Sequence, residues 1–504
     1  MEHKRRNNAA MARQKPKHVM IQTLGCQMNV YDSEKMEQTL AEMGYAPVDS
    51  PSKADLVIVN TCAIREKAEQ KVMSSVGRLC GIKRRRPHMA IAVAGCVAQY
   101  QSEKIFKRFD GVDLILGTRV IHRLADHVRA LEQRHGRIVD VEMPDKNADK
   151  TGTEPEIRIP QNPEPAPVNP APPRPDSGVS RFVTIMRGCD NFCAYCVVPY
   201  VRGRETSRRP EDIISEVGDC VDAGAREITL LGQNVNSYGK KEGLCTFAEL
   251  LDRVSEISGL ERIRFVTSHP KDLSDELVTA FSRLDKLCNH IHLPVQSGAN
   301  PVLKRMNRKY TREMYLERLG KLRSVRPDIA VTSDFIVGFP GETPDDFEMT
   351  LDLLRIVEFD TLFAFEYSDR SLAPARRFSP KIDDEQKHHR LRQLLDCQAQ
   401  ITRRIYAGLA GQSARVLVEG FSKRSRQMDL QGTDHEIEMS GRTSENRIVN
   451  FSVDPRHGSP ENLVGRLVDV VIERACANSL KGAMTIPEAP VVGAITKGGK
   501  THAA

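Results

Sequence analysis

Three cysteines within one short stretch, Cys189-Asp-Asn-Phe-Cys193-Ala-Tyr-Cys196, are the strongest chemical signal in this 504-residue chain. Iron–sulfur clusters are held by cysteine thiolates, and three in one loop can cap three irons of a cubane. A ferredoxin-type set needs a fourth cysteine. The next one, Cys220, lies inside a predicted helix. One iron is therefore left open to a substrate or cofactor. A structural zinc ion is normally four-coordinate, so it too would lack a ligand here. The unequal spacing, three residues and then two, also differs from that of a zinc ribbon.

A second set is dispersed. Val19-Met20-Ile21 leads to Gly25-Cys26, Asp55-Leu56-Val57-Ile58-Val59 leads to Asn60-Thr61-Cys62, and Met89-Ala90-Ile91-Ala92-Val93-Ala94 leads to Gly95-Cys96. Short apolar runs alternating with helical patterns predict a parallel α/β sheet. Ligands bind at the carboxyl ends of such strands, so Cys26, Cys62 and Cys96 could converge into a second three-thiolate site. The alternative is three unrelated thiols, because cysteine is also a common small hydrophobe in α/β cores. Cys80, Cys220, Cys245, Cys288, Cys397 and Cys476 are scattered and read as packing residues.

The elements that must position these groups fall into three regions. The N-terminal one spans about 17–140. A stretch with nine prolines between Pro155 and Pro175 follows. Prolines at that density block helix and sheet pairing and make an extended, semi-rigid linker, assigned to 141–174. In the middle region, 175–407, strands are predicted at 181–188, 226–231, 262–267, 290–295, 329–337 and 361–367. Helices are predicted at 210–223, 245–257, 272–284, 311–324 and 344–357. Six successive βα units suggest a barrel or part of one, with function beyond the strand C-termini. In the last region, 408–486, alternating strands at 413–419, 435–440, 446–453 and 465–474 suggest a small antiparallel barrel. Residues 487–504 are small, polar and basic, and read as a disordered tail.

Composition sets the outer limits. Single cores stop growing at roughly 250–300 residues, so several domains are expected. No apolar run approaches the roughly 20 residues of a membrane-spanning helix. The basic start, Lys4 to Lys17, carries no apolar stretch of the kind a secretory signal needs. Grouped cysteines without a leader fit a reducing, cytoplasmic setting. A net charge of +7 permits an RNA partner without requiring one. No coiled-coil or other assembly signal is present, so a monomer is expected.

The motifs resemble the radical S-adenosylmethionine methylthiotransferase family, in particular its tRNA-modifying branch. The matching stretches are Gly25-Cys-Gln-Met-Asn29, Asn60-Thr-Cys-Ala-Ile-Arg-Glu-Lys67, Gly95-Cys-Val-Ala-Gln99, Cys196-Val-Val-Pro-Tyr200, Leu231-Gly-Gln-Asn-Val-Asn236, Thr267-Ser-His-Pro270, His292-Leu-Pro-Val-Gln-Ser-Gly298, Ser333-Asp-Phe-Ile-Val-Gly-Phe-Pro-Gly-Glu342 and Gly441-Arg-Thr443. The resemblance implies a Rossmann-like methylthiotransferase N-terminal domain, a radical-SAM partial (β/α)6 barrel and a C-terminal TRAM domain that contacts RNA. It implies that Cys26, Cys62 and Cys96 ligate an auxiliary 4Fe–4S cluster. It also implies that Cys189, Cys193 and Cys196 ligate the 4Fe–4S cluster that binds and reduces S-adenosylmethionine.

By the same resemblance, a radical removes the C2 hydrogen of N6-isopentenyladenosine beside the tRNA anticodon, and a methylthio group replaces it. The implied partners are the tRNA anticodon loop and an electron donor such as flavodoxin or ferredoxin. Gln233, Asn234, Gly338, Gly341 and Glu342 are the implied cofactor contacts. Gly338, Gly341 and Glu342 could instead form a plain strand-to-helix turn, and Gln233 and Asn234 could cap the next helix. His269 and His292 could be packed or pocket residues. Lys83-Arg-Arg-Arg86 reads as a solvated charge run rather than a phosphate site.

Two departures stand out. Ser368-Asp-Arg-Ser-Leu-Ala-Pro-Ala-Arg376 keeps an arginine, Arg370, but lacks the Pro-Gly-Thr usual in the family. The C-terminal barrel has a long loop, about 422–437, with Lys423-Arg-Ser-Arg426. From Gly408 to Ile486 ten Lys and Arg face ten Asp and Glu, so RNA binding there needs a local patch. The competing readings are methylthiolation of threonylcarbamoyl-adenosine or of a ribosomal-protein aspartate and, from another class, a non-catalytic RNA-binding protein with structural metal sites.

Overall fold

The computed structural model describes residues 16–63, 66–133, 136–143, 178–426, 437–453 and 459–485. The proline-rich stretch from 144 onward, Ile64 and Arg65, most of the 422–437 loop and the 487–504 tail lie outside them. The chain divides into two compact units, Met1–Thr402 and Arg403–Ala504.

The first unit begins with a six-stranded, wholly parallel sheet. Its strands are β1 (Lys17–Leu24), β2 (Tyr45–Pro47), β3 (Leu56–Thr61), β4 (Ala90–Gly95), β5 (Leu114–Leu116) and β6 (Ile138–Asp140), in the order β2-β1-β3-β4-β5-β6. The three strands expected ahead of the cysteines are β1, β3 and β4. The short β2, β5 and β6 were not anticipated, because three residues carry too little periodicity to register. Strand alternation splits the core in two. Val57, Val59, Ile91 and Val93 face helices α2 (Glu66–Lys83) and α3 (Cys96–Arg108). Leu56, Ile58, Ala92 and Ala94 face α1 (Gln27–Glu42) and α4 (Leu124–Gln133).

The same unit continues with six parallel strands in chain order. The first three are β7 (Ser180–Thr184), β10 (Glu227–Leu231) and β11 (Arg262–Phe265). The others are β12 (His290–His292), β13 (Ala330–Val337) and β14 (Thr361–Glu366). They form two three-stranded sheets bridged in parallel at Ile263 and Leu287. Between β7 and β10 an antiparallel pair, β8 (Met186–Arg187) and β9 (Thr206–Ser207), closes the base of the cysteine loop. The linking helices are α5 (Val198–Val201), α6 (Pro210–Asp222), α7 (Phe247–Ser255), α8 (Asp275–Arg283), α9 (Asn300–Arg305), α10 (Arg312–Val325) and α11 (Pro344–Val357). A long helix, α12 (Asp384–Ala407), follows. Capping chemistry sets the helix starts. Thr246 with Glu249, and Thr343 with Asp346, form capping boxes at α7 and α11.

The second unit is a closed barrel, β15-β16-β17-β19-β18. Its strands are β15 (Ser413–Phe421), β16 (Glu438–Thr443), β17 (Ile448–Ser452), β18 (Leu467–Ala475) and β19 (Leu480–Met484). Alternate residues, among them Val416, Val418, Met439, Phe451 and Ile472, fill its interior. Two expectations need correction. A fifth strand, β19, exists; its Gly482 and Ala483 gave it no β-branched signature. The barrel is also not wholly antiparallel, because β19 pairs parallel with β17.

Candidate functional site

Cys26, Cys62 and Cys96 stand at the carboxyl ends of β1, β3 and β4, three neighbouring strands. The fold thus brings together what the sequence spreads over 71 positions, from 26 to 96. A buried polar network fixes these ends. The Asn29 amide donates to Asn60 Oδ1 and to the Thr61 carbonyl, both at 3.0 Å. Asn60 donates back to the Asn29 carbonyl at 2.9 Å. The Thr61 hydroxyl donates to the Ala94 carbonyl at 2.6 Å and accepts from Val97 N at 3.1 Å. Gly95 is forced by this crowding. Its φ is +91°, and a Cβ there would collide with the Thr61 carbonyl.

Charge is tuned at this edge. Cys26 caps α1 and Cys96 opens α3, positions where helix N-termini favour thiolates. A hydrogen bond with Cys62 pulls the Cys26 thiol down to about 6, against the opposing effect of burial and with help from Arg202. Burial pushes Cys96 up, and the Arg202 guanidinium opposes it. Arg202 is 5% exposed, bonds Asp32 Oδ2 at 3.2 Å and hydrogen-bonds Cys96. It lies just past α5, so the segment after the second cysteine set supplies the cation of the first. Thr118 and Arg119, after β5, grip that segment. Thr118 Oγ1 donates to the Val201 carbonyl at 2.6 Å, and Arg119 Nε to the Arg202 carbonyl at 2.8 Å.

The second set occupies the loop after β8. Cys189 N donates to the Gly203 carbonyl, closing the loop. Gly188, at φ +79°, has no room for a Cβ against the Arg204 carbonyl. Each sulfur receives a donor: Asn191 Nδ2 to Cys189 at 3.4 Å, Val198 N to Cys196 at 3.4 Å and Arg308 Nη1 to Cys193 at 3.5 Å. Arg308 is buried and also donates to Tyr310, Tyr195 and the Pro294 carbonyl. Burial pushes the Cys189 thiol up to about 11 and Cys196 up to about 12, and the neighbouring Cys193 adds to both.

No three His, Cys, Asp or Glu side chains among the described residues close around a single metal ion. Nearby polar atoms also wait for a partner. Gln233 accepts from Gly188 N through Oε1, while its buried Nε2 has none. Asn236, Ser268 and His269 Nε2 are likewise buried without a partner, all beyond the ends of β10 and β11. Buried polar groups are otherwise almost always satisfied, so these fit a polar cofactor bound at the loop.

The other expected residues divide. Asn234 is occupied structurally: it donates to Asp272 at 2.8 Å and accepts from His269 N. Glu342 pairs with Arg390 at 2.6 Å and accepts from Gly338 N at 2.7 Å. Gly338 and Gly341 have φ of +69° and +81°, with Lys387 and Arg305 packed where a Cβ would go. His292 hydrogen-bonds Thr332 on β13 at 3.0 Å and lies 3.6 Å from Asp334. Lys83 pairs with Asp113 and Arg86 bonds the Ser52 carbonyl. Both therefore belong to the sheet edge opposite the cysteines. The Ser368–Arg376 segment docks on the cysteine loop through Ala375 N to the Ala194 carbonyl. Of the six cysteines read as packing residues, Cys288 is buried but Cys476 is exposed. Sequence reading missed Arg202, Arg308, Asn60 and Thr61 as site residues. Asn60 and Thr61 stood inside a quoted motif; the two arginines carried no local signal.

Comparison with known proteins follows the same division. The profile described as "Uncharacterized protein family UPF0004" matches residues 18–117, and that of the radical SAM superfamily matches 183–354. A tRNA-2-methylthio-N(6)-dimethylallyladenosine synthase from Desulfosudis oleivorans is 52% identical, over 97% of this chain and 100% of its own. Its namesakes from Syntrophus aciditrophicus and Geobacter sulfurreducens are 44% and 46% identical, over 97% and 92% of this chain and 99% and 97% of theirs. Among solved structures, the radical S-adenosylmethionine methyltransferase TsrM from Kitasatospora setae, with cobalamin and a 4Fe–4S cluster bound, superposes with a TM-score of 0.51. It does so at 13% identity, over 72% of this chain and 74% of its own, a likeness of fold.

Proposed function

The chain belongs to the tRNA-2-methylthio-N(6)-dimethylallyladenosine synthase family, and from that premise we propose how its residues divide the work. It is a tRNA methylthiotransferase that replaces the C2 hydrogen of N6-isopentenyladenosine with a methylthio group. Its cofactors are two 4Fe–4S clusters and S-adenosylmethionine. When bound, they supply the radical that removes hydrogen from an unactivated C–H bond, and the sulfur and methyl that replace it.

Cys189, Cys193 and Cys196 hold the cluster that meets S-adenosylmethionine, and Cys26, Cys62 and Cys96 hold the auxiliary one. The single observation that carries this assignment is the meeting of two three-cysteine sites in one compact unit, joined by Arg202. The chain's own contribution is electrostatic and steric. Asn191, Val198 N and Arg308 offset thiolate charge in the loop, and Arg202 does so at the strand ends. Burial of Cys62, Cys96, Cys189 and Cys193 keeps water away from those sulfurs. Gln233 offers its unpartnered Nε2 to the cofactor, with Asn236, Ser268 and His269 beside it. Asn234, Gly338, Gly341 and Glu342 hold the rims of that pocket in shape.

In this reading 17–140 is a Rossmann-like methylthiotransferase domain, 141–174 a linker, 175–407 the radical-SAM core, 408–486 a TRAM domain and 487–504 a tail. The parallel six-stranded sheet, the six sequential parallel strands and the closed barrel support the three folded modules. Exposed Lys423, Arg424 and Arg426 give the barrel the local patch RNA binding requires. The enzyme works as a cytoplasmic monomer on the tRNA anticodon loop, reduced by flavodoxin or ferredoxin. Among the described residues no helix is long and apolar enough to cross a membrane.

Mass spectrometry of tRNA nucleosides from cells lacking the protein tests the assignment. The methylthio nucleoside should vanish and its isopentenyl precursor accumulate. Unchanged nucleosides would overturn it.

A further inference from the structure

Two cationic segments brace the backbone of the cysteine loop. Asn307 Nδ2 donates to the Phe192 carbonyl at 2.9 Å, and Ala194 N donates to the Met306 carbonyl at 2.9 Å. The end of α9 and the turn after it therefore hold the loop on both sides of Cys193. Ala375 N donates to the Ala194 carbonyl at 2.9 Å, which seats the segment 374–377 against the same stretch. Ala194, Met306 and Ala375 share one buried apolar cluster beneath these bonds.

The residues flanking those anchors are Lys304, Arg305, Lys309, Arg376 and Arg377, and all five are exposed. None has a carboxylate partner among the described residues. Arg305 ties the two segments together: its Nη2 donates to the Ser379 carbonyl at 2.9 Å, and its guanidinium lies 5.8 Å from the centre of the Phe378 ring. Carboxylates of the adjoining stretches are engaged internally. Asp190 pairs with Arg204 and Lys241, Asp369 with Lys381, and Asp384 with Lys387, while Asp383 accepts from Gln386 N. Lys309 also stands in left-handed backbone, at φ +61°, where glycine is favoured, so a cation is kept there at a conformational cost. Like charges gathered without counter-charges repel one another in the folded chain. A partner of opposite sign removes that repulsion.

We propose that this surface docks a small acidic one-electron carrier protein beside the cluster held by Cys189, Cys193 and Cys196. One electron leaves the reduced carrier and enters that cluster; no covalent bond forms or breaks. Electron-transfer encounters bury little surface and draw their rate from complementary charge, which suits a cationic patch without an apolar groove. The carrier is favoured over RNA phosphates because both segments bond the loop backbone at Phe192 and Ala194, the neighbours of Cys193. The inference rests on the cluster assignment of the preceding section and adds where the electron arrives.

Stopped-flow reduction of the anaerobic holoenzyme by a reduced acidic flavodoxin, and separately by a reduced acidic ferredoxin, tests it. Oxidation of the carrier reports the rate, and calorimetric titration with the oxidised carrier reports binding. With at least one carrier the wild-type rate should fall as salt rises, because charges are screened beyond about 10 Å at 0.1 M. K304E/K309E and R376E/R377E should each slow reduction by the carrier at least about tenfold and weaken its binding. Dithionite, a small reductant that needs no docking surface, should reduce both variants at the wild-type rate. R84E/R85E makes the same change of charge at two exposed positions just past α2 and should match wild type. K304Q/K309Q, a milder change should charge reversal prevent folding, should show a smaller loss of the same sign. Iron and sulfide contents equal to wild type show that each variant is folded and loaded. Wild-type rates in K304E/K309E and R376E/R377E, or a wild-type enzyme that binds neither carrier, overturn the docking surface. Variants that lose affinity for a tRNA anticodon stem-loop yet keep reduction by the carrier overturn it too, and give the patch to RNA. A wild-type enzyme that cleaves no S-adenosylmethionine with dithionite would instead overturn the cluster assignment.

Discussion

The two cysteine sets each gather three thiols, by opposite routes. The loop site is local: Cys189, Cys193 and Cys196 lie in one turn closed by Cys189 N to the Gly203 carbonyl. The strand-end site is tertiary: its three cysteines meet only because β1, β3 and β4 pair in register. Their electrostatics differ as well. Burial holds the loop thiols high, at about 11 and 12 for Cys189 and Cys196, whereas a neighbouring thiol and Arg202 draw Cys26 down to about 6. Each site uses one buried arginine. Arg308 serves the loop site from within the core that carries it, while Arg202 reaches the strand-end site from the other module. The supply of cations therefore runs one way: the strand-end site takes its arginine from the loop's segment, and the loop site has its own.

The largest expected effect separates the sites outright. C193A and C62A should both abolish methylthio product and each lose half the iron, but only C193A should also lose S-adenosylmethionine cleavage. Complete iron loss in C62A would show that the sites do not assemble independently. Next in size is R202L, which leaves Asp32 buried beside no matching charge from that side chain. Breaking a buried pair costs about 3–5 kcal/mol, to be read by denaturant unfolding. R202L should also strip iron from the strand-end site. R308L should deplete iron from the loop site alone, and symmetrical losses would break the one-way picture.

Alkylation of the metal-free protein probes the thiols themselves. The thiolate is the reactive form, so a lowered pKa means reaction at lower pH. Cys26 should react with iodoacetamide already at neutral pH, while Cys189 and Cys196 should require strongly alkaline conditions. Peptide mass spectrometry over a pH series reads both. The smallest effect concerns Glu205, near the loop site, which burial pushes up to about 7. The folded carboxyl keeps its proton to higher pH than the unfolded one. Its stabilising contribution is therefore full below the ordinary carboxylate range and is lost as pH rises towards 7. E205Q should flatten that decline in thermal stability, with the largest gain over wild type above pH 7.

The same contrast explains what could be read in advance. The grouping of Cys189, Cys193 and Cys196 was legible from spacing alone, because it is a local property of the chain. Cys26, Cys62 and Cys96 were legible only as a shared place in a strand–loop pattern, and convergence required either a family resemblance or the sheet itself. Strands such as β3, with an unbroken run of buried residues, declared themselves; β5 and β19 were too short or too poor in β-branched residues. Arg202 and Arg308 had no sequence signature at all. An arginine becomes a sulfur's partner through packing between segments 106 and 115 positions apart, from Cys96 to Arg202 and from Cys193 to Arg308. Gln233 and Asn234, adjacent and equally polar, were indistinguishable until the fold gave one an open amide and the other a full set of bonds.

The grip of Thr118 and Arg119 on residues 201–204 bears on how such enzymes can be recombined. The proline-rich stretch looks like the natural seam for a hybrid joined from two relatives. A crossover there would take Thr118, Arg119 and Asp32 from one parent and Arg202 from the other. The exchangeable piece is therefore larger than the N-terminal region: a working hybrid must carry the Val201–Arg204 segment along with the sheet it completes.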